Sequence, residues 1–110
     1  FVAPAVCLVR AASEFIRAHA VEGISVDDVA KAVRVSRRLL DLRFRQVERQ
    51  SVLQAIEGRR LAAARGLLRK THYSIAEIAS RCGYGHVKSF EAAFRRKMGM
   101  APGAYRNPVA

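Results

Sequence analysis

At 110 residues the chain has room for one compact unit or two very small ones, and 51% hydrophobic composition suits modest cores and excludes a disordered chain. Its net charge of +11 and pI near 11.0 point to a polyanionic partner. A membrane is set aside, because no apolar run approaches ~20 residues and no segment joins a basic face to a broad unburied apolar one.

Every predicted element is helical. Leu8, Ala12, Phe15, Ile16 and His19 fall at helical spacing and predict a first helix from about residue 4 or 5 to 20, ended by the Glu22-Gly23 turn. A short second helix opens at Ser25 or the acidic pair after it, with Val26, Val29, Ala30 and Val33 inward; Asp27 and Asp28 suit the positive end of its dipole. Ser36 caps a third helix with Leu40, Phe44 and Val47 inward and Arg37, Arg38, Asp41 and Arg45 on its other side. A longer fourth helix, from about Ser51 to Lys70, keeps Leu53, Ile56, Leu61, Ala64, Leu67 and Leu68 on one stripe. A further helix spans Ser74 to Cys82, the chain breaks at Gly83-Tyr84-Gly85, and a sixth runs from His86 to about Met98 with Val87, Phe90, Ala93, Phe94 and Met98 as its apolar positions. Ala101-Pro102-Gly103 ends that run, and a last turn at Ala104 to Arg106 drops Tyr105 onto the second core.

Two of these stretches are one stretch written twice. Ser25-Val-Asp-Asp-Val-Ala30 matches Ser74-Ile-Ala-Glu-Ile-Ala79, 49 positions on, and after one extra residue Leu40, Asp41, Phe44 and Arg45 match Phe90, Glu91, Phe94 and Arg95, 50 positions on. In each copy a short helix, a break and a second amphipathic helix follow in order, which is the plan of a helix-turn-helix. The expected fold is therefore all-α: seven helices forming two helix-turn-helix subdomains, at residues 1–50 and 71–110, joined by a long linker helix at 51–70. No Gly-rich or Ser-rich linker intervenes, so helix and not tether joins the copies.

Charge follows the duplication. Residues 1–33 carry three basic and four acidic side chains, whereas residues 34–110 carry 17 and five, so the basic excess begins where the first recognition helix begins. Double-stranded DNA is the expected partner. A spacer of about 20 residues is a rod of roughly 30 Å, near the ~34 Å between successive major-groove faces, which predicts two recognition helices in adjacent major grooves. Tandem copies in one chain predict an asymmetric target of roughly two helical turns. A rival reading is an architectural protein coating duplex without sequence preference.

The outward residues of the two recognition helices are the candidate base contacts. These are Arg37, Arg38, Asp41 and Leu42 in the first, and Val87, Lys88, Glu91 and Ala92 in the second. Arg can pair with guanine O6 and N7, Asp can accept from cytosine N4 or orient an Arg, and Val87 suits either a thymine methyl or packing. Arg45, Arg95, Arg96 and Lys97, with Arg59 and Arg60 on the spacer, are cast as phosphate contacts or sources of field. Ser25, Ser36 and Ser74 open helices, where hydroxyl and N–H groups can hold phosphate or simply cap.

Other chemistry has little support. Cys7 and Cys82 sit at apolar helical positions and are expected to be buried reduced thiols, as suits a cytoplasmic protein, and with His19, His72 and His86 they lack zinc-ligand spacing. No metal and no cofactor is expected. No Ser, His and carboxylate share a catalytic arrangement, so no catalytic residue is assigned and an enzyme is not expected; two dispersed cysteines also argue against a DNA-repair methyl acceptor. The start at Phe1 shows no targeting signal and is compatible with a fragment of a longer chain.

The second copy reads as a family signature. Ile75-Ala-Glu-Ile-Ala79, Cys82-Gly-Tyr84, Phe90, Phe94-Arg-Arg-Lys97, Gly99, Pro102 and Tyr105-Arg106 closely resemble the C-terminal signature of the AraC/XylS family of bacterial transcription regulators. Val35-Ser36-Arg-Arg, Phe44-Arg45 and Arg60-Leu-Ala-Ala-Ala-Arg-Gly-Leu-Leu68 fit as well, so the likeness covers about residues 6 to 106. The wording of residues 21–38 is most similar to the xylose-operon regulator branch. That resemblance implies an output domain that binds an operator and engages RNA polymerase, in a dimeric activator whose sugar ligand is held by a sensor domain upstream of Phe1. Two positions depart from it: Arg49 stands where the family has Gly, so the left-handed helix stop is expected to be missing, and Arg34 stands where the second copy has Gly83, so that turn must form without glycine.

Overall fold

A computed structural model describes residues 4–107; the extreme N-terminus, on which the absence of a targeting signal was judged, lies outside them. The elements are α1 Pro4–His19, a 3₁₀ turn Ala20–Glu22, α2 Val26–Ala32, α3 Arg37–Glu48, α4 Val52–Lys70, α5 Ile75–Arg81, α6 Val87–Met98 and α7 Pro102–Arg106. The expected all-α fold of seven helices and two helix-turn-helix motifs is borne out. No strand occurs among the described residues. Two compact units share the chain, one taking in residues up to Ala20 and Ile24–Arg59, the other Val21–Gly23 and the residues from Arg60 onward.

Each unit has its own core. In the first, Val9, Ala12, Ile16 and Ala20 of α1 and its following turn meet Val26, Val29 and Ala30 of α2, Leu40 and Phe44 of α3, and Val52 and Ile56 at the start of α4. In the second, Leu61, Ala64 and Leu68 from the rest of α4 meet Ile78, Ala79 and Cys82 of the α5 region and Phe90, Ala93 and Phe94 of α6. Tyr105 packs on this second core as expected, with its ring 5.4 Å from that of Phe94. Three inward assignments fail. Val52, not Leu53, lies on the buried stripe of α4 with Ile56, leaving Leu53 half exposed; Val47, in the last turn of α3, is 40% exposed. Cys7 is exposed because the buried stripe of α1 runs through Val9, Ala12 and Ile16; only Cys82 is a buried thiol, and burial pushes it above the usual range.

The two motifs repeat bond for bond. In the first turn the Arg34 N–H donates to the Lys31 carbonyl and the Val35 N–H to the Ala30 carbonyl; in the second, Gly83 donates to Ser80 and Tyr84 to Ala79. This pair of bonds is the Schellman helix stop, which requires a left-handed residue. Gly83 takes it at φ 94°, and Arg34 takes it at φ 60°. The same holds at the ends of the recognition helices, where Gly99 at φ 79° donates to the Arg95 carbonyl and Arg49 at φ 60° donates to that of Arg45. The expectation that α3 would lose its left-handed stop is thus overturned. An L-residue can enter that region at a cost of about 1–2 kcal/mol, and these arginines do so.

Caps fix the helix starts. Ser25 and Asp28 form a reciprocal capping box, and the Ser25 backbone bond foremost holds the Asp28 carboxyl below the usual carboxylate range. Ser51 and Gln54 form a second box at α4, a Ser-x-x-Gln signal legible in the sequence but unassigned there. At the far end of α4, Arg106 spreads its guanidinium over three backbone carbonyls, those of Leu68, Thr71 and Tyr73, at 3.1, 3.2 and 2.5 Å. The α4–α5 connection is thereby tied to the last helix, with Thr71 adding a hydroxyl bond of 2.7 Å to Leu67.

Candidate nucleic-acid interface

Helical geometry sorts each second helix into two faces. Positions 38, 42 and 45 lie on the side of α3 away from the buried Leu40 and Phe44, and 88, 92 and 95 on the matching side of α6; 41 and 91 lie at the flank, and 37 and 87 stand in the first turn, where they are exposed at the helix N-terminal ends. All of these are exposed except Asp41, which is partly buried. Arg96 and Lys97 are exposed near the end of α6. A burial-driven helix-turn-helix therefore presents basic side chains outward in both units.

In the first unit these residues border an open groove of roughly 490 Å³, lined by Arg37, Arg38, Asp41 and Arg45 of α3, Val26 of α2, and Ser51 and Leu53 at the start of α4. Leu53, which periodicity had placed in the core, thus joins the basic surface. Arg37 lies 3.7 Å from Asp27, both well exposed, a pairing worth at most about 1 kcal/mol and easily exchanged for another anion.

Asp41 is engaged within the fold. Its Oδ2 accepts from Arg45 Nε at 2.7 Å and its Oδ1 accepts from the Val52 N–H at 3.1 Å, so one carboxylate holds Arg45 and caps the first N–H of α4. The bond from Arg45 foremost, and that from Val52 after it, hold this carboxyl below the usual range despite partial burial. The second copy cannot repeat the arrangement. Fifty positions on from Val52 stands Pro102, which has no N–H, and Glu91 is exposed and makes no bond of this kind among the described residues. We expect Asp41→Ala to lower stability by about 1–2 kcal/mol in urea unfolding, and Asp41→Asn, which can still cap Val52, by less. Because the folded pKa is depressed, this stabilisation is present above the unfolded value near 3.8 and is lost as pH falls through the folded one. The acid limb of a stability profile should therefore flatten in Asp41→Ala.

The three serines act as caps, with Oγ accepting from Asp28, Leu39 and Glu77 N–H groups at 3.2, 3.1 and 3.0 Å. Each hydroxyl, having accepted one bond, keeps its own O–H as a donor for a further acceptor. On the spacer, Arg59 is exposed, but Arg60 is only 9% exposed, with its guanidinium 5.4 Å from the centre of the Tyr84 ring. Arg60 therefore belongs to the second core and not to the basic surface. Arg69 and Arg81 likewise lie over Tyr105 and Tyr73. Among the described residues there is no cluster of potential metal ligands and no helix long and apolar enough to cross a membrane.

Two tandem helix-turn-helix motifs, each showing a basic recognition helix to solvent, define the class as a double helix-turn-helix domain. A family profile described as a helix-turn-helix domain matches residues 29–108. The xylose operon regulatory protein of Escherichia coli K12 is 38% identical over 96 residues, which span 87% of this chain and 24% of that protein. Regulatory protein SoxS of Salmonella typhimurium is 33% identical over 91% of this chain and 94% of its own length. The crystal structure of the DNA-binding domain of AdpA, the global transcriptional factor, in complex with a target DNA, is 33% identical, covers 97% of this chain and 93% of that one, and superposes with a TM-score of 0.78. The chain belongs to this helix-turn-helix family, in its AraC type. It spans about a quarter of the length of the xylose operon regulators it matches.

Proposed function

We propose that the chain binds specific double-stranded DNA as the output domain of a bacterial transcription regulator, with α3 and α6 each entering a major groove of one asymmetric site. The carrying observation is the repeated exposed helix face turned away from a buried one, carrying Arg38, Leu42 and Arg45 in α3 and Lys88, Ala92 and Arg95 in α6, with Arg37, Val87 and Glu91 exposed beside it. Arg45, Arg95, Arg96 and Lys97, with the caps Ser25, Ser36 and Ser74, are the proposed backbone contacts. Asp41 acts here by orienting Arg45 rather than by reading a base. The likeness to xylose operon regulators supports a longer parent protein with a sugar-sensing domain, a dimeric state, contact with RNA polymerase, activation of a sugar-use operon and a cytoplasmic setting.

Selection from random duplex should yield one extended non-palindromic site, held at least about 10³-fold more tightly than random duplex at fixed salt. Equal retention of random duplex would favour the architectural reading that the overall charge of +11 also suits. Arg38→Ala and Lys88→Ala should relax preference by about 1–3 kcal/mol, each in a different half of the site, whereas Arg96→Ala should weaken all duplexes alike and lower the salt slope by about 1. Arg38→Ala and Lys88→Ala altering the same base positions would sink the two-headed reading.

A further inference from the structure

Twice this chain sets an arginine where its own second copy has a glycine in the same left-handed conformation: Arg34 for Gly83 and Arg49 for Gly99, with the same backbone bonds in each copy. Both arginine side chains are exposed, and neither makes a hydrogen bond, ion pair or ring contact among the described residues, so folding does not account for them. Nor does the dipole of α3 call for Arg49, since Arg45 already stands in the last turn of that helix.

Charge along the duplication supplies the missing reason. The last turn of α6 carries Arg95, Arg96 and Lys97, whereas the matching positions of α3 are Arg45, Gln46 and Val47. The deficit is confined to that turn, since α3 and α6 each carry four cations in all, and Arg34 and Arg49 place two more at the borders of α3, at the strained positions. We propose that Arg34 and Arg49 bind backbone phosphates of the duplex at the two ends of α3, doing for the first motif what Arg96 and Lys97 do for the second. This inference rests on the DNA reading above. Twelve residues of helix span about 18 Å, so the two guanidinium groups flank the stretch of groove that α3 would occupy. Residues held in unfavourable backbone conformations with no internal purpose cluster at functional sites.

Arg34→Gly, Arg49→Gly and the double variant test this, with Arg10→Ala removing an equal charge from α1. Thermal midpoints should stay level or rise by ~2–4 °C, because glycine relieves the left-handed strain. Affinity at ~0.15 M salt should fall about 3- to 10-fold per arginine for selected and random duplex alike, and the slope of log K against log salt should shrink by about 0.9 for each. Arg10→Ala should leave both within error. Unchanged affinity and slope in the glycine variants, or an equal loss in Arg10→Ala, would overturn the proposal. If the parent domain failed to discriminate its site from random duplex, the specific-binding reading would fall, while the salt slopes would still decide Arg34 and Arg49, because phosphate contact needs no base preference.

Discussion

Phe90→Ala will lower the unfolding free energy by about 3–5 kcal/mol, the range for deleting a fully buried aromatic side chain from a core that cannot collapse around the hole. Phe90 is completely buried, with ring centres 5.4 Å from Tyr84 and 5.8 Å from Phe94, and Phe94 in turn meets Tyr105 at 5.4 Å. Removing it takes one of the two inner rings out of a chain of four. Domains of this size are stable by only about 5–15 kcal/mol in total, so a loss on this scale consumes much of what one small unit has. Amide exchange should show protection failing across α5, α6 and α7 while α1, α2 and α3 retain theirs, because those helices bury their side chains in the other core. Phe44→Ala should produce the mirror pattern. A loss under ~1 kcal/mol, or a uniform fall in protection over both units, would refute the picture of two cores.

The second large effect belongs to Arg106. Its guanidinium donates to the carbonyls of Leu68, Thr71 and Tyr73, which leave the C-terminal end of α4 and have no helical partner of their own. A charged donor makes each such bond worth about 1.5–3 kcal/mol, but solvent reaches this half-buried site and the three are not additive. Arg106→Ala should therefore cost about 2–4 kcal/mol in chemical denaturation. Arg106→Lys should recover little, since an ammonium on a flexible stem cannot fork toward three fixed acceptors. Full rescue by lysine would show that charge, not geometry, does the holding.

Most of the helical plan was legible in the sequence because a helix advertises its own faces. Leu40 with Phe44, and Phe90 with Phe94, recur at four-residue spacing, and the exposed cations on the other side follow from the same period. Helix starts were legible at Ser25, Ser36 and Ser74, whose hydroxyls cap locally. Where inward positions were misjudged the fault lay at helix ends: at Val47 and Leu53 one residue of rotation, about 100°, exchanges core for solvent and period alone is ambiguous. The left-handed arginines were unforeseen at Arg49 because the residue type argues against that conformation, although the turn around it demands it.

By itself, then, the sequence determined the number and order of helices, the duplication, and which side of each recognition helix is basic, since these depend on residues three or four apart along one chain segment. Only the tertiary structure decided that Asp41 ties α3 to the first N–H of α4, that Arg60 lies on Tyr84 in a core, and that Arg106 clamps the end of α4. Those partners stand 11, 24 and up to 38 residues apart. Which of many exposed-looking charges meets a backbone group or a ring is set by how helices pack, and no local period carries that information.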